Sequence, residues 1–260
     1  MSDFSEYNTL LVDYTDGIII VKLNRPKKMN AFTAETLDEL EHVIGSIENQ
    51  PEIKVMILST VSDSFFSAGV DVKWFASMRG DEAISVSRRF HDVFGMLEIL
   101  CIPVLSVVKG ICYTAGMEIL YCSDLIFCTP NTKFAQLEVK YGITPAAGGT
   151  QRLVRLVGPL KAREIIYSGV PITAQEALRI GLVNYVYENE DIDEKVMEFA
   201  QILLKNSSRA IKECKFMIQQ AIYENSQGFD REEEVFKEDF DSLEPKQRLE
   251  KVIQKIKEKK

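Results

Sequence analysis

The feature that most constrains the fold is a series of short, nearly continuous apolar runs. Residues 53–60 (IKVMILST), 102–110 (IPVLSVVKG) and 124–130 (DLIFCTP) are each bounded by polar residues. A run of this length without alternation is expected of a strand covered on both faces, since no position is left for solvent. Stretches with helical spacing lie between the runs. Thr33 stands as an N-cap with Glu35 in the first turn, and Leu37, Leu40, Ile44 and Ile47 recur at helical spacing behind it. A further helix is expected over residues 116–122. Residues 9–24 read as two strands around Thr15-Asp16-Gly17, a hairpin turn signal, with the second strand rich in β-branched side chains. Strands alternating with helices over the first 150 residues predict an α/β layered core.

After Gly148 the period becomes helical. Helices are predicted over 148–157, 159–168, 173–180, 193–206 and 208–223, with Gly158, Gly169 and Gly181 placed to end three of them. Residues 232–260 are charged, with apolar residues at Phe236, Phe240, Leu243, Leu249, Val252 and Ile256. That pattern reads as solvated helices with one packed stripe.

Several function classes drop out. With 260 residues, 46% of them apolar, the chain can build a large core without disulfides. The charge, 31 − 39 = −8, disfavours a phosphate-tracking face, so no nucleic-acid partner is expected, although a few lysines can still grip one anionic ligand. The five cysteines (Cys101, Cys112, Cys122, Cys128, Cys214) show no CxxC or CxxH spacing and read as buried, reduced thiols of a cytoplasmic protein. The N-terminus has no basic segment followed by an apolar block, and no apolar run approaches about 18 residues, so neither a signal peptide nor a membrane span is expected. His42 and His91 are expected at the surface, and no GxSxG elbow is present to pair with them. Without HExxH, DxDxDG, GxGxxG or GxxxxGK[ST] patterns, no metal and no nucleotide cofactor is expected.

What remains are carboxylates beside small-residue turns. Glu118 follows Thr114-Ala115-Gly116 in YTAGMEILYCSD; Glu138 interrupts an apolar patch ahead of Pro145-Ala146-Ala147-Gly148-Gly149; Asp71 follows Ala68-Gly69-Val70. Small residues let backbone approach a ligand and leave N–H groups free to point at it. Such a set can stabilise an oxyanion through an N–H near Val70 and another at the helix start after Ala115. A carboxylate among apolar neighbours is suited to proton transfer near neutral pH. Spacing alone leaves a plainer reading open: Glu118 as an acid facing a helix dipole, and Glu138 as an ion-pair partner of Lys140 or Arg152.

Five collinear blocks between residues 8 and 225 resemble the enoyl-CoA hydratase/isomerase, or crotonase, family: residues 23–32 (LNRPKKMNAF), 65–75 (FFSAGVDVKWF), 102–128, 133–158 (KFAQLEVKYGITPAAGGTQRLVRLVG) and 172–186. The resemblance implies an α/β crotonase (ClpP-like) fold, a spiral of ββα units forming roughly perpendicular sheets, with residues 1–195 as the core. It further implies that residues 196–260 form a C-terminal helical region for oligomerisation and active-site cover, giving a trimer or a hexamer. The oxyanion donors fall on Val70 and Ala115 and the catalytic acids on Glu118 and Glu138. Ala68, Val70, Asp71, Val72, Lys73 and Ala115 correspond to substrate-binding positions, with Lys27, Lys28 or Lys73 toward the CoA phosphates.

The implied reaction is hydration of a trans-2-enoyl-CoA to a 3-hydroxyacyl-CoA, with CoA as part of the substrate and no separate cofactor. A Δ3,Δ2-enoyl-CoA isomerase or another crotonase-type CoA-thioester enzyme is the alternative, followed by a non-catalytic acyl-CoA-binding scaffold. The chain departs from the family where three glycines are usual, at Thr114-Ala115-Gly116, and where Pro-Gly-Ala-Gly-Gly is frequent, at Pro145-Ala146-Ala147-Gly148-Gly149. It also lacks the usual EKRxPxF-like ending.

Overall fold

The computed structural model describes residues 7–77, 80–223 and 258. Strands β1 (Leu10–Thr15) and β2 (Ile18–Leu23) form a hairpin. Asp16 (φ 46°) and Gly17 (φ 86°) are its two central residues, and two positive φ angles in succession match the twist of the flanking strands. Helix α1 (Ala34–Ile47) follows, capped by Thr33 Oγ1, which accepts from Thr36 N–H, and Leu37, Leu40, Ile44 and Ile47 are all buried as the spacing predicts.

Three strand pairs come next. β3 (Val55–Thr60) leads to β4 (Phe65–Ser67), then α2 (Val72–Ser77) and α3 (Gly80–Ile99). β5 (Val104–Val108) leads to β6 (Ile111–Tyr113) and α4 (Ala115–Glu118), which tightens into a 3-10 turn over Ile119–Cys122. β7 (Leu125–Cys128) leads to β8 (Lys133–Ala135) and a 3-10 turn over Glu138–Tyr141. Then come α5 (Gly149–Val157), α6 (Pro159–Ser168), β9 (Ile172–Thr173), α7 (Ala174–Arg179), β10 (Tyr185–Val186) and α8 (Ile192–Lys205).

The first strand of each pair joins a six-stranded sheet of order β1-β2-β3-β5-β7-β10, parallel except at β1/β2. The second joins a smaller sheet of order β4-β6-β8-β9, parallel except at β8/β9. This two-sheet winding is the repeated ββα unit the resemblance implies.

The continuous apolar runs have a direct explanation in the large sheet. Along β3, Met56 and Leu58 enter the main core with α1 and α3, while Val55 and Ile57 enter a second core with Ile192, Val196 and Ala200 of α8. Both faces are covered, so alternation disappears. The first compact unit, which includes α8, runs to Asn206. The second unit begins at Ser207 and contains α9 (Ser208–Tyr223). The apolar stripe expected over 232–260 lies outside the described residues.

Two expectations change. Cys112, Cys122 and Cys128 are buried, but Cys101 and Cys214 are exposed, Cys101 because it lies in the turn after α3 rather than inside β5. The strands β4, β6, β8, β9 and β10 were not anticipated, since two or three residues are too few to show a period. The glycine stops hold: Gly158 and Gly169 cap α5 and α6, and Gly181 follows α7, all at positive φ. Both histidines are at the surface. Among the described residues no helix is long and apolar enough to cross a membrane, and no cluster of three metal-ligating side chains occurs.

Candidate active site

The turn after β4 is held from below by the loop before α1. Buried Asn30 donates its amide to Thr60 Oγ1 (2.8 Å) and Phe66 C=O (2.9 Å) and accepts from Arg25 N–H (2.7 Å). Its carbonyl accepts from Ser67 Oγ (2.8 Å), and Ser67 Oγ in turn accepts from Gly69 N–H (3.1 Å). Gly69 C=O accepts from Phe32 N–H and Asp71 N–H donates to Phe32 C=O, an isolated bridge that passes over Val70. No hydrogen bond among the described residues engages Val70 N–H. Asp71 is spent locally, accepting from Lys73 N–H (3.1 Å) and facing Arg25 (3.6 Å). Val72 and Lys73 are exposed on α2, as are Lys27 and Lys28 on their 3-10 turn.

The second turn touches the first. Gly69 has φ 103°, and a Cβ there would run into Thr114 Oγ1. Thr114 itself sits at φ 50°, ψ −123°, a region that β-branched residues rarely occupy. Its carbonyl closes the helix by accepting from Met117 N–H (2.8 Å) and Glu118 N–H (3.0 Å). Ala115 is therefore the first helical residue, and its N–H has no intrahelical acceptor. Gly116 is required because a Cβ would lie 2.8 Å from Ser67.

Glu118 projects from α4 into the core at 2% exposure. Its Oε1 accepts from Ala147 N–H (3.0 Å) and Gly149 N–H (2.7 Å). These donors belong to the turn before α5 and to the first residue of α5, and Arg152 clamps the turn by donating to Ala147 C=O (3.2 Å) while pairing with Glu98 of α3 (2.7 Å). Ser87 Oγ also donates to Ala146 C=O (2.6 Å). Gly148, at φ 105°, leaves room for the Arg152 guanidinium that a Cβ would strike.

Glu138, at 6% exposure, begins the 3-10 turn after β8. In the orientation that satisfies both of its neighbours, the Gln136 amide nitrogen donates to both Glu138 oxygens (2.9 and 3.0 Å) and its oxygen accepts from Tyr121 O–H (3.0 Å). Glu138 makes no ion pair among the described residues, so neither Lys140 nor Arg152 neutralises it.

Burial dominates the electrostatics. It raises Glu118 to about 7, against the lowering effect of the Gly149 and Ala147 N–H groups and of Arg152. It raises Glu138 to about 8, and the nearby charge of Glu118 raises it further. Two backbone donors oppose desolvation at Glu118 without cancelling it. Two coupled acids thus titrate near neutral pH, where the pair can both give and take a proton.

The turns that carry Val70 and Ala115 meet at the Gly69–Thr114 approach, Glu118 of α4 meets the turn before α5 at Gly149, and Glu138 is joined through Gln136 to Tyr121 in the extension of α4. Asn30, Ser67, Tyr121, Gln136 and Arg152 support them. The signals for Gln136 and Tyr121 were single polar groups inside the apolar strings FAQLE and EILYC. Their partners come from distant chain segments, so no local spacing announces the contact.

A family model described as enoyl-CoA hydratase/isomerase matches residues 13–260. The chain is 38% identical over 210 residues to the short-chain-enoyl-CoA hydratase of Clostridium acetobutylicum, covering 81% of this chain and 80% of that protein. It is 34% identical over 209 residues to the crotonyl-CoA hydratase of Syntrophomonas wolfei, covering 80% of each. Among solved structures, an enoyl-CoA hydratase from Bacillus anthracis superposes with a TM-score of 0.89 at 30% identity, covering 97% of both chains. The crotonase fold is thereby the fold of this chain.

Proposed function

The chain belongs to the enoyl-CoA hydratase/isomerase family, and on that premise we propose that it adds water to a trans-2-enoyl-CoA to give a 3-hydroxyacyl-CoA. The observation that carries this reading is the pair of buried carboxylates, Glu118 and Glu138, both raised by burial into the neutral range. Isomerisation needs only one acid to move a proton between carbons. Addition of water uses two, one to take the proton from water as its oxygen attacks C3 and one to supply the proton to C2.

Charge then collects on the thioester oxygen. The N–H groups of Val70 and Ala115, both without partners among the described residues, are available to that oxygen. Such donors cost nothing to reorganise as the charge develops. Ala68 and the stretch to Lys73 would line the CoA moiety, with exposed Lys27, Lys28 and Lys73 near its phosphates. The names of the two relatives favour a short acyl chain. The assembly proposed is a trimer or paired trimers; large apolar side chains left exposed on α6, Leu160 and Tyr167, support association, which sedimentation velocity would read.

The test is hydration of crotonyl-CoA by the wild-type chain and by Glu118→Gln and Glu138→Gln. Each variant is expected to lose on the order of 100-fold or more in kcat. Near-normal turnover in either variant removes that residue from the mechanism. Conversion of a 3-enoyl-CoA without water uptake would assign isomerisation instead.

A further inference from the structure

Tyr121 does no chemistry in this scheme, yet its phenol is buried at 5% exposure beside the two acids. It comes from the 3-10 turn that extends α4, so it shares an element boundary with Glu118, while its hydrogen bond goes to Gln136 in the link between β8 and the 3-10 turn that Glu138 begins. The link is Gln136. A primary amide has two unlike ends, and which end faces the carboxylate decides whether the contact attracts or repels. With its oxygen toward Tyr121 O–H, Gln136 turns its nitrogen to both oxygens of Glu138. Reversed, the amide nitrogen would donate to the phenol oxygen and the amide oxygen would face the carboxylate. Only a Glu138 that carries a proton could then satisfy it.

We propose that Tyr121 is a positioning residue acting through Gln136: its phenol holds the amide in the orientation that fixes the Glu138 carboxylate, and it can accept the reversed orientation when Glu138 is protonated. A phenol serves both states because it both donates and accepts. Tyr121, Gln136 and Glu138 thus form a relay in which amide orientation follows the proton.

The remaining charged and titratable groups around the relay are few. Glu118 of α4 bears on both Glu138 and Tyr121, and Cys112 of β6 bears on Tyr121. Arg152 of α5 acts on Glu118 and is itself paired with Glu98 of α3. Burial, with Glu118 beside it, pushes the Tyr121 phenol well above its ordinary value, so it remains a donor wherever the acids titrate. Donation from the phenol polarises the amide and strengthens its hydrogen bonds to the ionised carboxylate.

The role assigned to Glu138 rests on the hydratase reading, but the decisive readout does not. The carboxyl carbons of the glutamates are followed by 13C NMR against pH in the full-length protein, with the Glu138 signal identified by its loss in Glu138→Gln. Tyr121→Phe is expected to move the Glu138 titration upward by roughly 0.5–1 unit, and Gln136→Leu to move it at least as far. The double variant is expected to add nothing to Gln136→Leu, since one residue acts through the other. Trifluorotyrosine at position 121, a stronger donor of nearly the same shape, is expected to move it downward and keeps the test open should Tyr121→Phe fail to fold. In turnover, Tyr121→Phe is expected to lose about 10-fold in kcat with KM little changed. An unmoved Glu138 titration in Tyr121→Phe and in the trifluorotyrosine protein, or additive effects in the double variant, overturns the relay. A moved titration in a protein that hydrates no enoyl-CoA supports the relay and overturns only the hydratase reading.

Discussion

Gly149 donates its backbone N–H to Glu118 Oε1 at 2.7 Å, and a Cβ on Gly149 would stand 2.8 Å from that same oxygen and 2.9 Å from Pro145 Cβ. The residue that holds the acid is therefore one that cannot carry a side chain. Gly149→Ala is expected to push the carboxylate off its two donors. An activity loss on the order of 100-fold, with a stability cost of about 1–3 kcal/mol from overpacking, follows. Crotonyl-CoA kinetics and urea denaturation measure the two effects, and a fully active Gly149→Ala would show that the Glu118 position does not matter.

The donor at Ala115 can be deleted without touching its side chain. Replacing Ala115 by lactic acid turns its N–H into an ester oxygen, and folding should be nearly unaffected because that N–H opens α4 and bonds to nothing inside it. The expected result is a loss of about 100- to 1000-fold in kcat at similar KM, about 3–4 kcal/mol of transition-state stabilisation. Unchanged kcat in the ester protein would remove Ala115 from the oxyanion site.

Burial of the acids also predicts a pH dependence of stability. A carboxyl raised in the folded state binds its proton there while the unfolded chain has already released its own, so stability falls as pH rises from about 4.5 through the folded value. For Glu118, raised from 4.5 to about 7, the loss corresponds to about 3 kcal/mol, complete above neutrality. For Glu138, raised to about 8, it continues to higher pH. Glu118→Gln and Glu138→Gln should therefore gain on the wild type between pH 5 and pH 8.5, as read from urea denaturation at both values. Parallel curves for wild type and variants would contradict the assignment.

Thr114 carries the opposite test. At φ 50°, ψ −123° it occupies backbone space that costs a β-branched residue about 1–3 kcal/mol. Thr114→Gly relieves that cost and returns about 0.5–1 kcal/mol of it as chain entropy in the unfolded state. A net gain of about 1 kcal/mol, seen as a higher Tm, is expected. A lower Tm would mean that the threonine side chain, which abuts Gly69, holds the two donor turns together.

The centre of the large sheet was legible because β3 and β5 are six and five residues long and covered on both faces, which leaves the continuous apolar signature of residues 53–60 and 102–110. The Asp16-Gly17 turn, the Thr33 cap and the glycine stops were legible for a related reason: each is a local conformational demand that few residues meet. The small sheet was not legible. Strands such as β6 and β8 are three residues long and exist only because their neighbours pair with them.

The same division holds at the site. Sequence by itself determined which groups are available: three carboxylates beside three small-residue turns, and no metal, nucleotide or GxSxG motif to compete with them. Only the tertiary structure decided what those groups are. Glu118 becomes an acid of neutral pH because α5 covers it and the 145–149 turn offers it two donors that do not offset its burial. Glu138 has no ion pair among the described residues, and its side-chain hydrogen bonds come from Gln136. Desolvation and charge pairing depend on what surrounds a side chain in space, and those neighbours come from segments that chain order does not bring together.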